Sequence, residues 1–292
     1  MSKYISRKAF VSILGTAALA GCLTLTGCNG SSTSSNANSN TGSADNSADK
    51  TITVAAVPTP HAEVLNDVVK PLLEKEGYTL KVTEFTDYVQ PNTVTEDEEV
   101  DANYFQHKPY LDNFNEEQGT HLVSVTAVHY EPFGLYAGKS SDLSNIADGA
   151  TIAVPNDATN EARALLLLQQ EGIIKLSDSA GIEATPKDIV ENPHNVEFKE
   201  LEAAVVPTVL EDVDFACINA NYAIEAGLSV NKDALAVEDA AGEAAQTYAN
   251  LLVVKEGHEN DEKIQALATA LNSDEVRDYI NSTYDGSVLP VF

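Results

Sequence analysis

The chain has 292 residues with 45 acidic against 17 basic side chains, a formal net charge of −28. Such a surface repels phosphate backbones, so nucleic acid is excluded as a partner, since binding it needs clustered Lys and Arg. The apolar fraction of 43% supports one large core or two smaller ones.

The start reads as an export signal rather than as fold. Lys3, Arg7 and Lys8 form a basic head, and residues 9–20 form an apolar run too short to span a bilayer comfortably. Two lipoprotein-type cleavage boxes follow, Leu-Ala-Gly before Cys22 and Leu-Thr-Gly before Cys28. Cys28 is the expected lipidation site, because polar residues start directly after it, whereas cleavage at Cys22 leaves Leu-Thr-Leu-Thr exposed. Residues 1–27 are therefore the expected signal peptide. Residues 28–50, almost all Ser, Asn, Thr, Gly, Ala and Asp, cannot bury enough apolar surface to order themselves and read as a tether. A flexible coil of this length has a typical reach of about 25 Å.

From residue 51 onward, strand-like and helix-like patterns alternate, which favours an α/β architecture. Residues 51–57, rich in β-branched side chains, read as a strand. A helix is expected at 62–76, with Val64, Leu65, Val68, Val69, Leu72 and Leu73 at helical spacing, a kink at Pro71 and a stop at Gly77. Strands are expected at 79–85, 122–128, 134–137, 150–154, 196–201, 213–218 and 249–255. Helices are expected at 108–118, 159–171, 222–226, 262–271 and 274–282. Gly138 to Asp142 and the Gly/Ala-rich segment 239–246 are plausible crossings between lobes. Lobe one is then 51–138 plus 247–292, and lobe two is 139–246.

No catalytic signature is present: no Gly-x-Ser-x-Gly elbow, phosphate-cradling loop, His-Glu-x-x-His or Cys-x-x-Cys. The reading is that of a protein without enzymatic activity or cofactor. The six His are scattered with no i, i+4 pair, so no metal site is expected, although His61, His107 and His129 are candidates to converge with a carboxylate.

Three aromatics and an imidazole (Tyr104, Phe105, His107, Tyr110) fall within seven residues, as in a pocket wall. Residues 155–163 gather Pro, Asn, Asp and Thr where a helix begins, with Arg163 one turn inside. A helix start beside a guanidinium is a ready carboxylate site. Asn219 and Asn250 lie at strand ends, where ligands sit in open α/β sheets, and an amide reads both charges of an amino acid.

Residues 101–119 (DANYFQHKPYLDNFNEEQG) and 122–139 (LVSVTAVHYEPFGLYAGK) together resemble the methionine-binding lipoprotein family (NlpA-type) of ABC importers. The likeness resumes at 154–169 (VPNDATNEARALLLLQ), 215–223 (FACINANYA) and 248–255 (YANLLVVK), so it covers nearly everything after residue 50. It implies a two-lobed type II periplasmic-binding-protein-like fold with a ligand cleft between the lobes. It implies L-methionine or a close relative as cargo, with a methionine-containing dipeptide, another amino acid or a metal as alternatives. The implied site residues are Tyr88, Phe105, His107, Tyr110, Asn160, Arg163, Asn219 and Asn250, with Arg163 clamping the carboxylate. The implied setting is a monomer, lipid-anchored at the extracytoplasmic face of the cell membrane and serving an ABC permease. The sequence departs from the family at Val57-Pro-Thr-Pro-His61 and before Tyr248, where 238–246 is longer than the family's turn.

Overall fold

Two sheets organise the molecule, and the chain enters the second only once and leaves it only once. The computed structural model describes residues 50–239 and 243–292. The expected signal peptide, both cysteine boxes and the tether up to residue 49 lie outside the described residues. No helix among the described residues is long and apolar enough to cross a membrane.

Sheet one has six strands in the order Leu289–Pro290, Leu122–Tyr130, Ala249–Lys255, Ala102–His107, Thr51–Ala56, Thr79–Glu84. Thr51–Ala56 runs parallel to both of its neighbours, and Ala249–Lys255 is antiparallel to Ala102–His107 and to Leu122–Tyr130. Sheet two has five strands in the order Ala234–Val237, Gly134–Ala137, Phe215–Ile218, Thr151–Pro155, Glu197–Leu201. Phe215–Ile218, Thr151–Pro155 and Glu197–Leu201 run parallel, and Gly134–Ala137 is antiparallel to both of its neighbours. Each sheet has its own apolar core. The first gathers Ile52, Val54, Leu65, Leu73, Leu252 and Leu267, the second Phe133, Ile152, Leu165, Leu168 and Phe215. Cys217 is buried within the second core, as a small apolar filler.

The local rules explain most of the elements. The Lys108–Gln118 helix begins with Pro109 in its first turn and ends on Gly119 at φ 68°, a left-handed stop that favours glycine. The Ala158–Gln170 helix starts one residue earlier than expected, because Asp157 caps it by accepting from Asn160 N at 3.0 Å. The helix expected at 62–76 is instead a run of wide, π-type turns at Pro58–Ala62 and Leu65–Val69 leading into Lys70–Lys75, with Pro71 in the first turn of that last piece. The sequence pattern missed the helices Gln90–Glu96, Val230–Asp233 and Glu243–Thr247 and the strands Ala102–His107, Lys175–Leu176, Ile189–Glu191, Ala234–Val237 and Leu289–Pro290.

The first lobe boundary also moves. The strand Gly134–Ala137 pairs with Phe215–Ile218 and so belongs to sheet two, which puts the outbound crossing at residues 131–133 rather than at 138. Gly138 looked like a linker residue, but a Cβ there would lie 2.3 Å from the Val213 carbonyl. It is glycine because the backbone passes that close, with Gly138 N donating to Asp214 O at 3.0 Å. The return crossing runs from Glu238 to Tyr248, between Ala234–Val237 and Ala249–Lys255.

Candidate functional site

The strands of sheet one that point the same way as Ala102–His107 end at His107, Ala56 and Tyr130, and the antiparallel Ala249–Lys255 begins beside them. The parallel strands of sheet two end at Pro155 and Ile218. These ends meet around one small cavity, with about 20 Å³ open to a water-sized sphere, at the place where open α/β sheets hold ligands. All eight residues expected from sequence line it: Tyr88, Phe105, His107, Tyr110, Asn160, Arg163, Asn219 and Asn250. Four others join them: Gln106, Glu131, Ala220 and Asn221.

The polar side chains differ in what they have left to offer. His107 caps the Lys108–Gln118 helix, its Nδ1 accepting from Tyr110 N at 3.2 Å, so Nε2 carries the proton and meets Asn160 Oδ1 at 3.2 Å. Burial, followed by the nearby Arg163 charge, lowers its pKa to about 3 and keeps it neutral. Asn160 Oδ1 also accepts from Asn219 Nδ2 at 2.9 Å, and Asn160 Nδ2 donates to both Asp157 oxygens at 2.9 and 3.1 Å. Both side chains line the cavity, but their polar atoms are committed to the protein. Through the His107–Asn160 bond they bridge the cleft.

Two amide atoms of the cavity have no partner. Asn219 Oδ1 and Asn221 Nδ2 are buried without a hydrogen bond. Asn219 occupies the cap position of the Ala220–Glu225 helix yet makes no side-chain capping bond. Asn221 Oδ1 is fixed by Tyr88 OH at 2.6 Å, which leaves the amide nitrogen as the unused half. An unpaired buried acceptor and an unpaired buried donor are each costly, about 1–3 kcal/mol.

Glu131, in the outbound crossing, supplies a carboxylate. Its Oε1 receives His129 Nε2 at 2.8 Å and its Oε2 receives Asn221 N at 3.1 Å, at the positive start of the Ala220–Glu225 helix. His129 Nδ1 faces the Tyr104 hydroxyl, so that hydroxyl donates and the proton sits on Nε2. Burial raises the Glu131 pKa against the opposing pull of His61 and Arg163. His61 Nε2 reaches Asn250 Oδ1 at 2.9 Å, which turns the Asn250 nitrogen into the other half of its amide plane. Burial holds His61 and His129 neutral, with pKa values lowered to about 4 and about 3.

Arg163 is buried and already paired. Nε donates to Glu238 Oε2 at 2.8 Å, Nη2 donates to Glu238 Oε1 and to Glu131 O, the latter at 2.8 Å, and the Tyr248 ring lies 4.2 Å from the guanidinium carbon. Burial opposes the charge, but Glu238 outweighs it and the net shift is upward. The fork of Nε and Nη2, expected to clamp a ligand carboxylate, grips Glu238 here. Nη1 makes no hydrogen bond among the described residues.

The apolar wall is Tyr88, Phe105 and Tyr110, with ring centroids 5.8 to 6.0 Å apart in tilted and edge-on pairs. Tyr88 and Tyr110 also face an outer chamber of about 540 Å³ that includes Asp87, Asp157 and Glu202. Tyr222 OH donates to Thr86 O at 3.1 Å, a second bond across the cleft beside that of Tyr88.

For a metal, His61, His129 and Glu131 bring ligand atoms within 4.8 Å of one another. His107, a candidate for that set from sequence, stands apart on Asn160. The side chains of His61, His129 and Glu131 already hydrogen-bond to Asn250, to Tyr104 and to each other. Glu131, Asn221 and Glu238 were missed from sequence. Glu131 falls with Pro132 between two expected strands, and a lone charge there was a usable signal. Asn221 was visible in the Asn-Ala-Asn spacing after Ile218.

Two α/β lobes around a cleft lined at strand ends define a substrate-binding protein of the periplasmic type. Residues 52–292 match the family model of the NlpA lipoproteins, and the chain belongs to that family. It is 43% identical over 246 residues to the methionine-binding lipoprotein MetQ of Bacillus subtilis, covering 83% of this chain and 88% of that protein. A solved structure from Ruminococcus gnavus is 60% identical with a TM-score of 0.82, covering 83% of this chain and 100% of that one. A nutrient binding protein from Burkholderia cenocepacia, solved bound to methionine, is 43% identical with a TM-score of 0.78, covering 82% of this chain and 100% of that one.

Proposed function

We propose that the cavity takes a free α-amino acid, L-methionine or a close relative, and that lobe closure around it presents the loaded protein to an ABC permease. The observation that carries this reading is the pair of opposite unmet needs in one cavity, Asn219 Oδ1 as acceptor and Asn221 Nδ2 as donor. An ammonium group meets the acceptors Glu131 and Asn219 Oδ1. A carboxylate meets the donors Arg163 Nη1, Asn221 Nδ2 and Asn250 Nδ2. The ring edges of Tyr88, Phe105 and Tyr110 suit a thioether, at about 0.3–1.5 kcal/mol per contact. The names of the relatives from Bacillus subtilis and Burkholderia cenocepacia support methionine as cargo. In this reading no bond is made or broken, no cofactor is needed, and hinge motion is the mechanism.

The lipid anchor belongs to the same proposal. Cys28 carries the lipid, residues 29–50 tether a monomeric binding unit to the outer face of the membrane, and family membership supports that placement. Cys28→Ala with Cys22 intact is expected to abolish fatty-acid labelling, and persistent labelling moves the anchor to Cys22.

Native mass spectrometry of protein purified without added ligand tests the cargo, with a mass increment equal to methionine expected. Calorimetry with N-acetylmethionine and methionine-containing dipeptides tests the class. Loss of either α-charge leaves a buried partner unpaired and is expected to weaken binding at least tenfold. A dipeptide that binds as tightly as methionine overturns the free-amino-acid reading.

A further inference from the structure

We propose that Glu238 is a positioning residue for ligand recognition: it holds Arg163 so that only the Nη1 edge serves the cargo, and it ties that edge to both crossings between the lobes. The inference rests on the amino-acid reading of the cavity. Glu238 sits at the start of the return crossing, directly after Ala234–Val237. Its carboxylate takes Nε and Nη2 of Arg163, and also the Tyr130 hydroxyl at 2.5 Å and Phe133 N at 2.9 Å. Its backbone N donates to Phe133 O at 3.0 Å. Tyr130 ends the last sheet-one strand before the outbound crossing, and Phe133 closes that crossing. One carboxylate therefore joins the exit from sheet one, the entry to sheet two, the return segment and a helix of the second lobe.

The chemistry explains the need. Arg163 is 4% exposed and stays charged in an empty cleft only with a counter-ion, because an unpaired buried charge costs several kcal/mol. In a chain with 45 acidic residues, an untethered guanidinium has a rival partner nearby in Glu131. Glu238 removes that freedom. With two nitrogens on Glu238, one of them also on the Glu131 carbonyl, and the Tyr248 ring against one face, the third nitrogen has a single direction. The pairing also makes the direction of that nitrogen depend on the path of the crossings, so hinge angle and carboxylate recognition move together.

The test compares methionine with methioninamide, which lacks the anionic carboxylate, by calorimetry on wild type, Glu238→Gln and Tyr130→Phe. Wild type is expected to prefer methionine by about thirtyfold or more. Glu238→Gln is expected to shrink that preference at least tenfold while methioninamide binding stays within threefold. If both ligands weaken equally and the preference is unchanged, Glu238 is only a structural tie and the proposal fails. Should Glu238→Gln not fold by circular dichroism, Tyr130→Phe decides. It removes one donor to Glu238 and leaves the Arg163 pair, so a roughly threefold smaller preference is expected, and an unchanged one overturns the proposal. A wild type without preference overturns the amino-acid reading and this inference together, an outcome distinct from a preference that Glu238→Gln leaves intact.

Discussion

Two clusters of buried amides, far apart in the chain, behave oppositely. Behind Phe105, the side chains of Asn92, Asn103 and Gln106 close on themselves. Asn92 Nδ2 donates to Gln106 Oε1 at 3.0 Å, Asn103 Nδ2 to Asn92 Oδ1 and Thr95 Oγ1 at 3.1 and 2.9 Å, and Gln106 Nε2 to Asn103 Oδ1 at 2.9 Å. No side-chain atom of that cluster is left unpaired. In the cleft, Asn219 and Asn221 each use half of their amide and leave the other half unmet. Residue type and burial are the same in both places, so neither marks a site. What distinguishes the cleft is a pair of unmet needs of opposite sign facing one cavity, which a zwitterionic ligand meets together.

The contrast is most directly broken at Arg163, whose one unused nitrogen belongs to the open cluster. Arg163→Ala is expected to cost about 2–5 kcal/mol of methionine binding, roughly thirtyfold or more. It also lowers the melting temperature, because Glu238 is left buried without its counter-ion. Arg163→Lys is not expected to rescue either effect, as an ammonium cannot hold both Glu238 oxygens. Calorimetry showing Arg163→Ala within threefold of wild type removes Arg163 from the site.

Acid separates the two clusters next, through the histidine that borders both. His107 ionises at about 3 in the fold and near 6.5 in the unfolded chain. The unfolded state thus binds more protons between these values, and stability falls as pH drops below 6.5. At pH 5 that amounts to about 2 kcal/mol for one neutral buried histidine, or about 4–8 °C. Glu161, raised to about 7 by burial and by Glu200, works in the opposite sense, gaining stability as pH falls from 7. The histidine share is therefore read as a difference: melting curves at pH 7.5 and pH 5 should converge for His107→Gln relative to wild type. Parallel loss in the two proteins contradicts a neutral His107.

A smaller effect compares the clusters directly. Asn103→Leu opens the closed cluster and is expected to cost about 1–3 kcal/mol of stability while leaving methionine affinity within threefold. Asn219→Ala in the cleft is expected to do the reverse, with roughly tenfold weaker binding and a stability change under about 1 kcal/mol. Paired melting and titration curves read both, and equal stability losses erase the distinction. Least of all, EDTA is expected to leave methionine affinity within twofold. Loss on chelation with recovery on zinc reassigns His61, His129 and Glu131 to a metal.

Sequence reached the cavity's walls but not its bonding. The aromatics and His107 stand on one continuous segment, and Asn219 and Arg163 fall where a strand gives way to a helix, so local pattern sufficed to find them. It did not show that Asn160 is spent on Asp157, His107 and Asn219, or that Arg163 is held by Glu238, 75 positions away. Saturation of a side chain depends on distant partners, and no periodicity records it. The same limit displaced the first lobe boundary. Gly138 announces a special backbone position, and only the pairing of Gly134–Ala137 tells a close approach from a hinge.

The single passage out of sheet one and back has a consequence for the order of assembly. All five strands of sheet two lie on one uninterrupted stretch, from Gly134–Ala137 to Ala234–Val237. Sheet one instead waits for Ala249–Lys255, which fills the gap between Leu122–Tyr130 and Ala102–His107. A chain that emerges from its amino end therefore has everything needed to nucleate the inserted lobe while the outer lobe still shows two open strand edges. Those edges are the aggregation-exposed surface of the nascent molecule. The last forty-odd residues act as a closing wedge whose arrival ends that exposure, and the binding cleft exists only after it.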